Sequence, residues 1–271
     1  SASSAFLSFV GDGALRYKGV LLEGTRRSYT SLMSIDPNLY APAMGAPAAT
    51  VREVQDALGD ASSDDERLPP SGLLSYKNPR AVYSSPVIRT VLLKDLEAGE
   101  RVDYSLDGVA RSFRVPRQRS YPVTFGLTAD LGQTEVSKAS MRDLKALDPD
   151  VVVIAGDLSY ADGWPFRWDS FGALLEEHLG DVPLVTTGGN HEIGASENWL
   201  HYLRRYPTPY EASGSSSELY FSVDLGPAHV ISLNSYDNFV NDGDRLQRDW
   251  LLRDLALVDP TRTPWLLALF P

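Results

Sequence analysis

The chain has 271 residues, 25 Lys and Arg against 36 Asp and Glu for a net charge of −11, and no cysteine. Its length suits one large domain or two modest ones, and 43% hydrophobic with 23% charged residues is a globular composition. Disulfides, thiolate nucleophiles and zinc–sulfur sites are excluded, a negative balance argues against nucleic acid as the main partner, and no apolar run nears the ~20 residues of a membrane helix.

Residues 1–118 show short β-like runs and no long helix. Val82–Tyr83 with Pro86–Leu93 predicts one strand. Glu100–Leu106 and Val109–Val115 predict a hairpin around Asp107-Gly108, because glycine accepts the positive φ of a tight turn. Asp36–Ala49 is rich in Pro and Ala, and Asp56–Arg67 is acidic and small, the pattern of a solvated loop. This half reads as a small β-sandwich with a long insertion. Pro116, Arg117, Arg119 and Pro122 then make a polar linker across Val115–Pro122.

Beyond the linker, strands alternate with helices. Val123–Thr128 predicts a strand, Thr134–Leu147 a helix with Met141, Leu144 and Leu147 on one face, and Val151–Ala155 a buried strand. Phe166–Leu179 predicts a helix, Pro183–Thr187 a strand and Ser196–Tyr206 a helix. Leu219–Leu225 and His229–Leu233 predict a hairpin at Gly226-Pro227, followed by a helix over Asp244–Leu257 and a strand over Pro264–Phe270. Such alternation indicates a mostly parallel sheet covered on both faces.

Three successive strands of this half end in polar, glycine-containing turns: Ala129-Asp130-Leu131-Gly132, Gly156-Asp157-Leu158-Ser159-Tyr160-Ala161-Asp162, and Gly188-Gly189-Asn190-His191-Glu192. In an open α/β sheet, ligands bind beyond the carboxyl ends of the strands. The three turns would bring Asp130, Asp157, Tyr160, Asn190 and His191 to one place. Carboxylates that meet there repel unless one is protonated or a cation lies between them. A hard cation with oxygen ligands is the simplest resolution. Singly, each motif also reads as an ordinary turn or helix cap; order and spacing together are far more specific.

With these residues the sequence resembles a purple acid phosphatase, a branch of the calcineurin-like metallophosphoesterases. The similarity runs from about Ser85 to Phe270 and includes A-D-L-G-Q-T, G-D-L-S-Y-A-D, G-G-N-H-E, W-L-L-R-D-L and T-P-W. Tyr160, three residues after Asp157, points to the purple branch. The resemblance implies an α/β metallophosphoesterase-type layered-sheet domain, incomplete, over 119–271, preceded by an all-β fibronectin-III-like sandwich domain with a long insertion over 1–118. By the same resemblance, Asp130 binds ferric iron, Asp157 bridges two metals, Tyr160 is the coloured phenolate ligand, and Asn190 binds a second divalent metal (Zn, Mn or Fe). Asn190 and His191 then face the substrate, with His191 the catalytic residue that positions phosphate or protonates the leaving group. The implied activity is acid phosphatase hydrolysis of phosphate monoesters by a hydroxide held on the dinuclear centre. The partner is a small-molecule phosphate ester, with neither nucleic acid nor membrane, and a homodimer is the assembly allowed for. The implied location is secreted or vacuolar/lysosomal, although the chain starts at Ser1 with neither initiator Met nor signal peptide.

The family pattern also calls for three further histidine ligands, the first directly after the last strand. The chain stops at Pro271, after Phe270, so it reads as an N-terminal fragment or shortened product without them. The histidines present are His178, His191, His201 and His229. His178, His201 and His229 read as structural, near a helix end, on a helix and at a strand start. Trp164, Trp168, Trp199, Trp250 and Trp265 read as packing, with pocket lining the alternative for Trp164, which follows the second motif. Asp162 shapes its own turn, and Glu192 either orients its neighbours from behind or faces solvent. Two alternatives stay open: another calcineurin-like phosphodiesterase or pyrophosphatase, and a non-catalytic phosphate-binding or interaction product.

Overall fold

A computed structural model of the chain describes residues 3–32, 82–117, 122–194, 197–236 and 243–271. The Pro- and Ala-rich stretch Asp36–Ala49, the predicted loop at Asp56–Arg67 and the middle of the predicted linker lie outside these residues.

The described first half is all β. Its strands are β1 (Ser3–Val10), β2 (Leu15–Tyr17), β3 (Val20–Leu22), β4 (Thr25–Arg27), β5 (Thr30–Leu32), β6 (Val82–Ser84), β7 (Ile88–Leu96), β8 (Arg101–Leu106) and β9 (Val109–Arg114). They form antiparallel sheets of order β1-β7-β4 and β3-β2-β8-β9, with β5 and β6 paired apart. Leu15 and Val102 from one sheet meet Val91, Leu93 and Leu96 from the other in a common core, closed by Val115. The β8–β9 hairpin turns at Asp107 (φ 52°) and Gly108 (φ 79°), both left-handed, as a tight two-residue turn requires. Asp107 Oδ1 also accepts from Ala14 N at 2.8 Å. The single strand predicted across residues 82–93 is two strands in different sheets. Pro86 has no N–H for a ladder, and Ser85 instead bonds Tyr29, N to O at 2.9 Å.

The second half runs β10 (Phe125–Thr128), α1 (Glu135–Ala146), β11 (Val151–Ala155), α2 (Phe166–Leu179), β12 (Leu184–Thr187), α3 (Asn190–Ile193) and α4 (Leu200–Arg205). After a short 3-10 turn come β13 (Phe221–Leu225), β14 (Ala228–Ser232), α5 (Gly243–Leu257) and β15 (Trp265–Leu269). β10, β11 and β12 are parallel neighbours. The second sheet is mixed: β13 and β14 form the expected hairpin, and β15 joins β14 in parallel. Thr134 caps α1 by accepting from Ser137 N while Ser137 Oγ accepts from Thr134 N, a reciprocal pair that satisfies two orphan donors. Met141, Val152, Ile154, Trp168, Phe171, Leu175 and Leu179 pack the core between α1, β11 and α2.

Three expectations need correction. Leu147 is exposed, because α1 ends at Ala146 and Leu147 is its C-cap. The helix predicted from Ser196 starts at Leu200: Asn198 (φ 47°) and Trp199 (φ 65°) are left-handed and cannot belong to it. Trp265 is exposed, whereas Trp164, Trp168, Trp199 and Trp250 are buried. No helix among the described residues is long and apolar enough to cross a membrane.

A buried polar cluster joins the halves. Arg205 Nη2 donates to Tyr83 Oη and to Asp169 Oδ1, both at 2.7 Å, and its Nε donates to Tyr29 Oη at 3.2 Å. Tyr83 Oη donates to Asp169 at 3.0 Å, and Tyr29 Oη lies 3.0 Å from His201 Nδ1. Burial, reinforced by the Arg205 charge, pushes His201 down to about 3, so this ring is neutral and structural.

Candidate active site

The parallel order β10-β11-β12 puts three strand ends at one edge, and each motif turn follows one of them. The first two turns are laced by backbone bonds that continue the sheet: Asp130 N to Gly156 O (3.2 Å), Leu131 N to Asp157 O (3.1 Å) and Gly132 N to Leu158 O (2.9 Å). The second and third turns are joined by a side chain. Glu192 is fully buried; its Oε2 accepts from Asp157 N (2.9 Å) and Gly189 N (2.8 Å), and its Oε1 accepts from Leu158 N (2.8 Å). Burial, with a smaller contribution from Asp157, raises Glu192 to about 7 against the pull of those amides. The exposed alternative weighed for Glu192 is therefore wrong.

This geometry explains the glycines of the third turn. A Cβ on Gly189 would lie 2.2 Å from Asp157 Oδ1, and one on Gly188 would lie 2.7 Å from the Trp199 ring. Asp130, Asp157, Tyr160 and Asp162 all have left-handed backbones, with φ of 50–52°. Each costs roughly 1–2 kcal/mol relative to ordinary backbone. Non-glycine strain concentrated at one edge of a sheet is characteristic of functional sites.

The five residues picked from the sequence gather here. Tyr160 Oη donates to Asp130 Oδ1 at 2.8 Å. Burial first, then Asp130, holds the Tyr160 phenol well above its ordinary range, so it keeps its proton beside that carboxylate. Asp157 Oδ1 accepts from His191 N at 3.0 Å. The Tyr160 and His191 rings lie 4.1 Å apart at 40°, and His191 Nδ1 is bonded to Asp162 Oδ1. Asp162 thus does more than shape its own turn. Asp130 and Asn190 are exposed, while Asp157, Tyr160 and His191 are half-buried.

Some contributors escaped sequence reasoning. Tyr236, just beyond β14, places its hydroxyl 3.5 Å from Asn190 Oδ1. Glu197, buried, accepts from Gly163 N (3.0 Å) and Trp168 Nε1 (2.8 Å). Gln133 Nε2 donates to Ser159 O (2.8 Å) and Arg167 O (2.9 Å), fixing the second turn from the first. Only Gln133 had a local signal, its place in the A-D-L-G-Q-T run. Trp164 is fully buried, as its packing reading has it, and the pocket-lining alternative does not hold.

The donor set bears on metal binding. Two carboxylates, a phenol and a carboxamide are hard oxygen donors suited to a hard, highly charged cation. Among the described residues, however, no group of three His, Cys, Asp or Glu side chains converges to hold an ion.

Residues 123–270 match the family described as calcineurin-like phosphoesterase. The chain belongs to the calcineurin-like phosphoesterases. Within them, its curated relatives include purple acid phosphatases. Purple acid phosphatase 22 of Arabidopsis thaliana is 38% identical over 194 residues, covering 69% of this chain and 44% of the relative. Fe(3+)-Zn(2+) purple acid phosphatase 12 of the same plant is 34% identical over 206 residues, covering 69% and 43%. A solved purple acid phosphatase from yellow lupin (Lupinus luteus) seeds shares the fold with a TM-score of 0.63 at 18% identity, over 98% of this chain and 48% of that one. This calcineurin-like phosphoesterase chain spans about half the length of the curated relatives it matches.

Proposed function

We propose that the chain carries the first part of a purple acid phosphatase site and acts on phosphate monoesters. The observation that carries this reading is the Tyr160–Asp130 pair standing beside Asp157 and Asn190 at one sheet edge. In this reading Asp130, Asp157 and Tyr160 hold a ferric ion, and Asp157 with Asn190 holds a second, divalent one. An Fe(3+)-Zn(2+) relative supports that pair of cations. Bound there, the cations supply Lewis-acid neutralisation of charge on a phosphoryl group.

The chain's own residues then do the rest. Asp157 is held by its own N–H on Glu192 and by the His191 N–H on its Oδ1, so its carboxylate is preoriented between the second and third turns. Asp162 occupies His191 Nδ1, which leaves Nε2 to meet the ester or its leaving group. Tyr160 flanks that ring and limits its rotation. Residues 1–118 belong to this reading as a fibronectin-III-like domain and 119–271 as the catalytic domain, in a secreted or vacuolar protein.

The test is hydrolysis of p-nitrophenyl phosphate by the chain loaded with ferric iron and zinc. The reading expects turnover, and a loss on the order of 10² or more in Asp157→Asn, where a ligand charge is removed. Equal turnover in that variant contradicts it. A second reading, a non-catalytic phosphate-binding product, is favoured by the absence of a three-ligand cluster among the described residues. Metal uptake without turnover would select it.

A further inference from the structure

The mixed sheet carries a polar cluster that the candidate site does not use. His229 on β14 is buried and both its ring nitrogens are engaged. Nδ1 lies 2.7 Å from Asp224 Oδ1 on β13, and Nε2 lies 2.9 Å from Asp254 Oδ2 on α5. Ser222 Oγ donates to the other Asp254 oxygen at 2.6 Å. A neutral imidazole has one N–H and one lone pair. It can satisfy one carboxylate and must turn its lone pair on the other, whereas an imidazolium donates to both.

The charged surroundings are defined from each packed element. β13 contributes Asp224, α5 contributes Asp254, and β15 places apolar Leu266 in register with His229. Burial favours the neutral ring, but the hydrogen bonds and charges of Asp224 and Asp254 outweigh it and raise His229 above its ordinary range.

The cluster fastens an element that reaches the candidate site. Gln247, Trp250 and Asp254 stand at i, i+3 and i+7 on α5 and share one face. Gln247 brackets Asn234: its Oε1 accepts from Asn234 N at 2.7 Å and its Nε2 donates to Asn234 O at 3.0 Å. Asn234 Oδ1 accepts from Tyr236 N at 2.7 Å, and Tyr236 Oη faces Asn190.

We infer that His229 is a positioning residue, a charged clamp that fastens α5 to the β13–β14 hairpin and so holds the Asn234–Tyr236 turn against Asn190, and that losing its proton loosens α5 and that turn together. The clamp is a property of the chain itself and does not rest on the phosphatase reading. Its sign follows from linkage. A ring bound more tightly to its proton when folded adds stability that is fully present below about pH 6.5 and is lost as pH rises through the higher folded midpoint.

The experiment is a histidine-resolved NMR titration of the 271-residue chain, whose four histidines make assignment tractable, with amide protection factors measured across the same range. At pH 6 both His229 nitrogens should carry protons, and its midpoint should lie above 6.5. Protection in α5 and at Asn234 and Tyr236 should fall with that midpoint. Asp224→Asn and Asp254→Asn should each lower it. Asp224 is the more exposed partner, so its variant and the wild-type titration decide the matter even if Asp254→Asn does not fold. A His229 midpoint at or below 6.5, or protection in α5 and at residues 234–236 that ignores it, overturns the clamp.

Discussion

Replacing Glu192 tests whether one buried carboxyl holds the candidate site together. Three amide donors converge on it: Asp157 N and Gly189 N on Oε2, and Leu158 N on Oε1. At pH 6, below the value of about 7 to which burial raises it, the folded chain carries Glu192 largely as the neutral acid. The comparison is then free of a buried charge, and Gln is the nearest isostere. In Glu192→Gln the amide oxygen can take the position that receives two donors, while its NH2 meets Leu158 N. One orphaned buried donor costs ~1–3 kcal/mol. Glu192→Ala orphans all three and leaves a void, so its cost is ~3–9 kcal/mol. Against a total stability of ~5–15 kcal/mol, the alanine variant is marginal or unfolded and the glutamine variant folds. Urea unfolding of both, followed by tryptophan fluorescence in metal-free buffer, measures this directly. An alanine variant within ~1 kcal/mol of wild type would refute the idea that Glu192 clips the second and third turns together.

Gly189→Ala places a Cβ 2.2 Å from Asp157 Oδ1 and 2.8 Å from Asp157 N, so the turns must separate. A loss of ~1–3 kcal/mol and of the His191 N–Asp157 bond is expected, and a crystal structure with an unchanged site would contradict it. Arg205→Met leaves Asp169 without its cation, bonded to Tyr83, and removes donors from Tyr29 and Tyr83. Because Asp169 is partly solvated, the cost is at the low end for a broken buried pair, ~3 kcal/mol; a urea midpoint within error of wild type would show that this cluster does not join the halves. Glu197 is raised to about 8, chiefly by burial. The folded chain therefore holds a proton that the unfolded chain releases, and stability falls as pH rises from about 4.5 to 8, by on the order of 4 kcal/mol. Glu197→Gln should flatten that slope, and a slope unchanged by the substitution would assign it elsewhere.

What was legible in the sequence was local. Asp107-Gly108 announces a turn because both of its residues are left-handed there, and the spacing of Met141 and Leu144 announces the helix that follows Thr134. The three motif turns were readable for the same reason, each following its strand directly. Their convergence followed from parallel order alone. Glu192 was legible as a residue but not in its role, since its three donors lie on two turns up to 35 positions away. Tyr236 and the Arg205 cluster are tertiary in the same sense. The helix start at Leu200 was misread because Trp199 is left-handed with its ring against Gly188, a tertiary contact that its residue type does not announce. Pro86 did mark the break between β6 and β7, but the apolar run around it outweighed that signal.

Tyr160 and Asp130, with Asp157, are proposed as a hard-donor pocket for a trivalent cation. The most direct measurement is the visible spectrum and iron content of the wild-type chain and of Tyr160→Phe, each loaded with ferric iron. Bound iron with a visible phenolate charge-transfer band is expected in the wild type, and no band in Tyr160→Phe. A wild-type chain that binds iron without colour, or a variant that keeps the band, would contradict it.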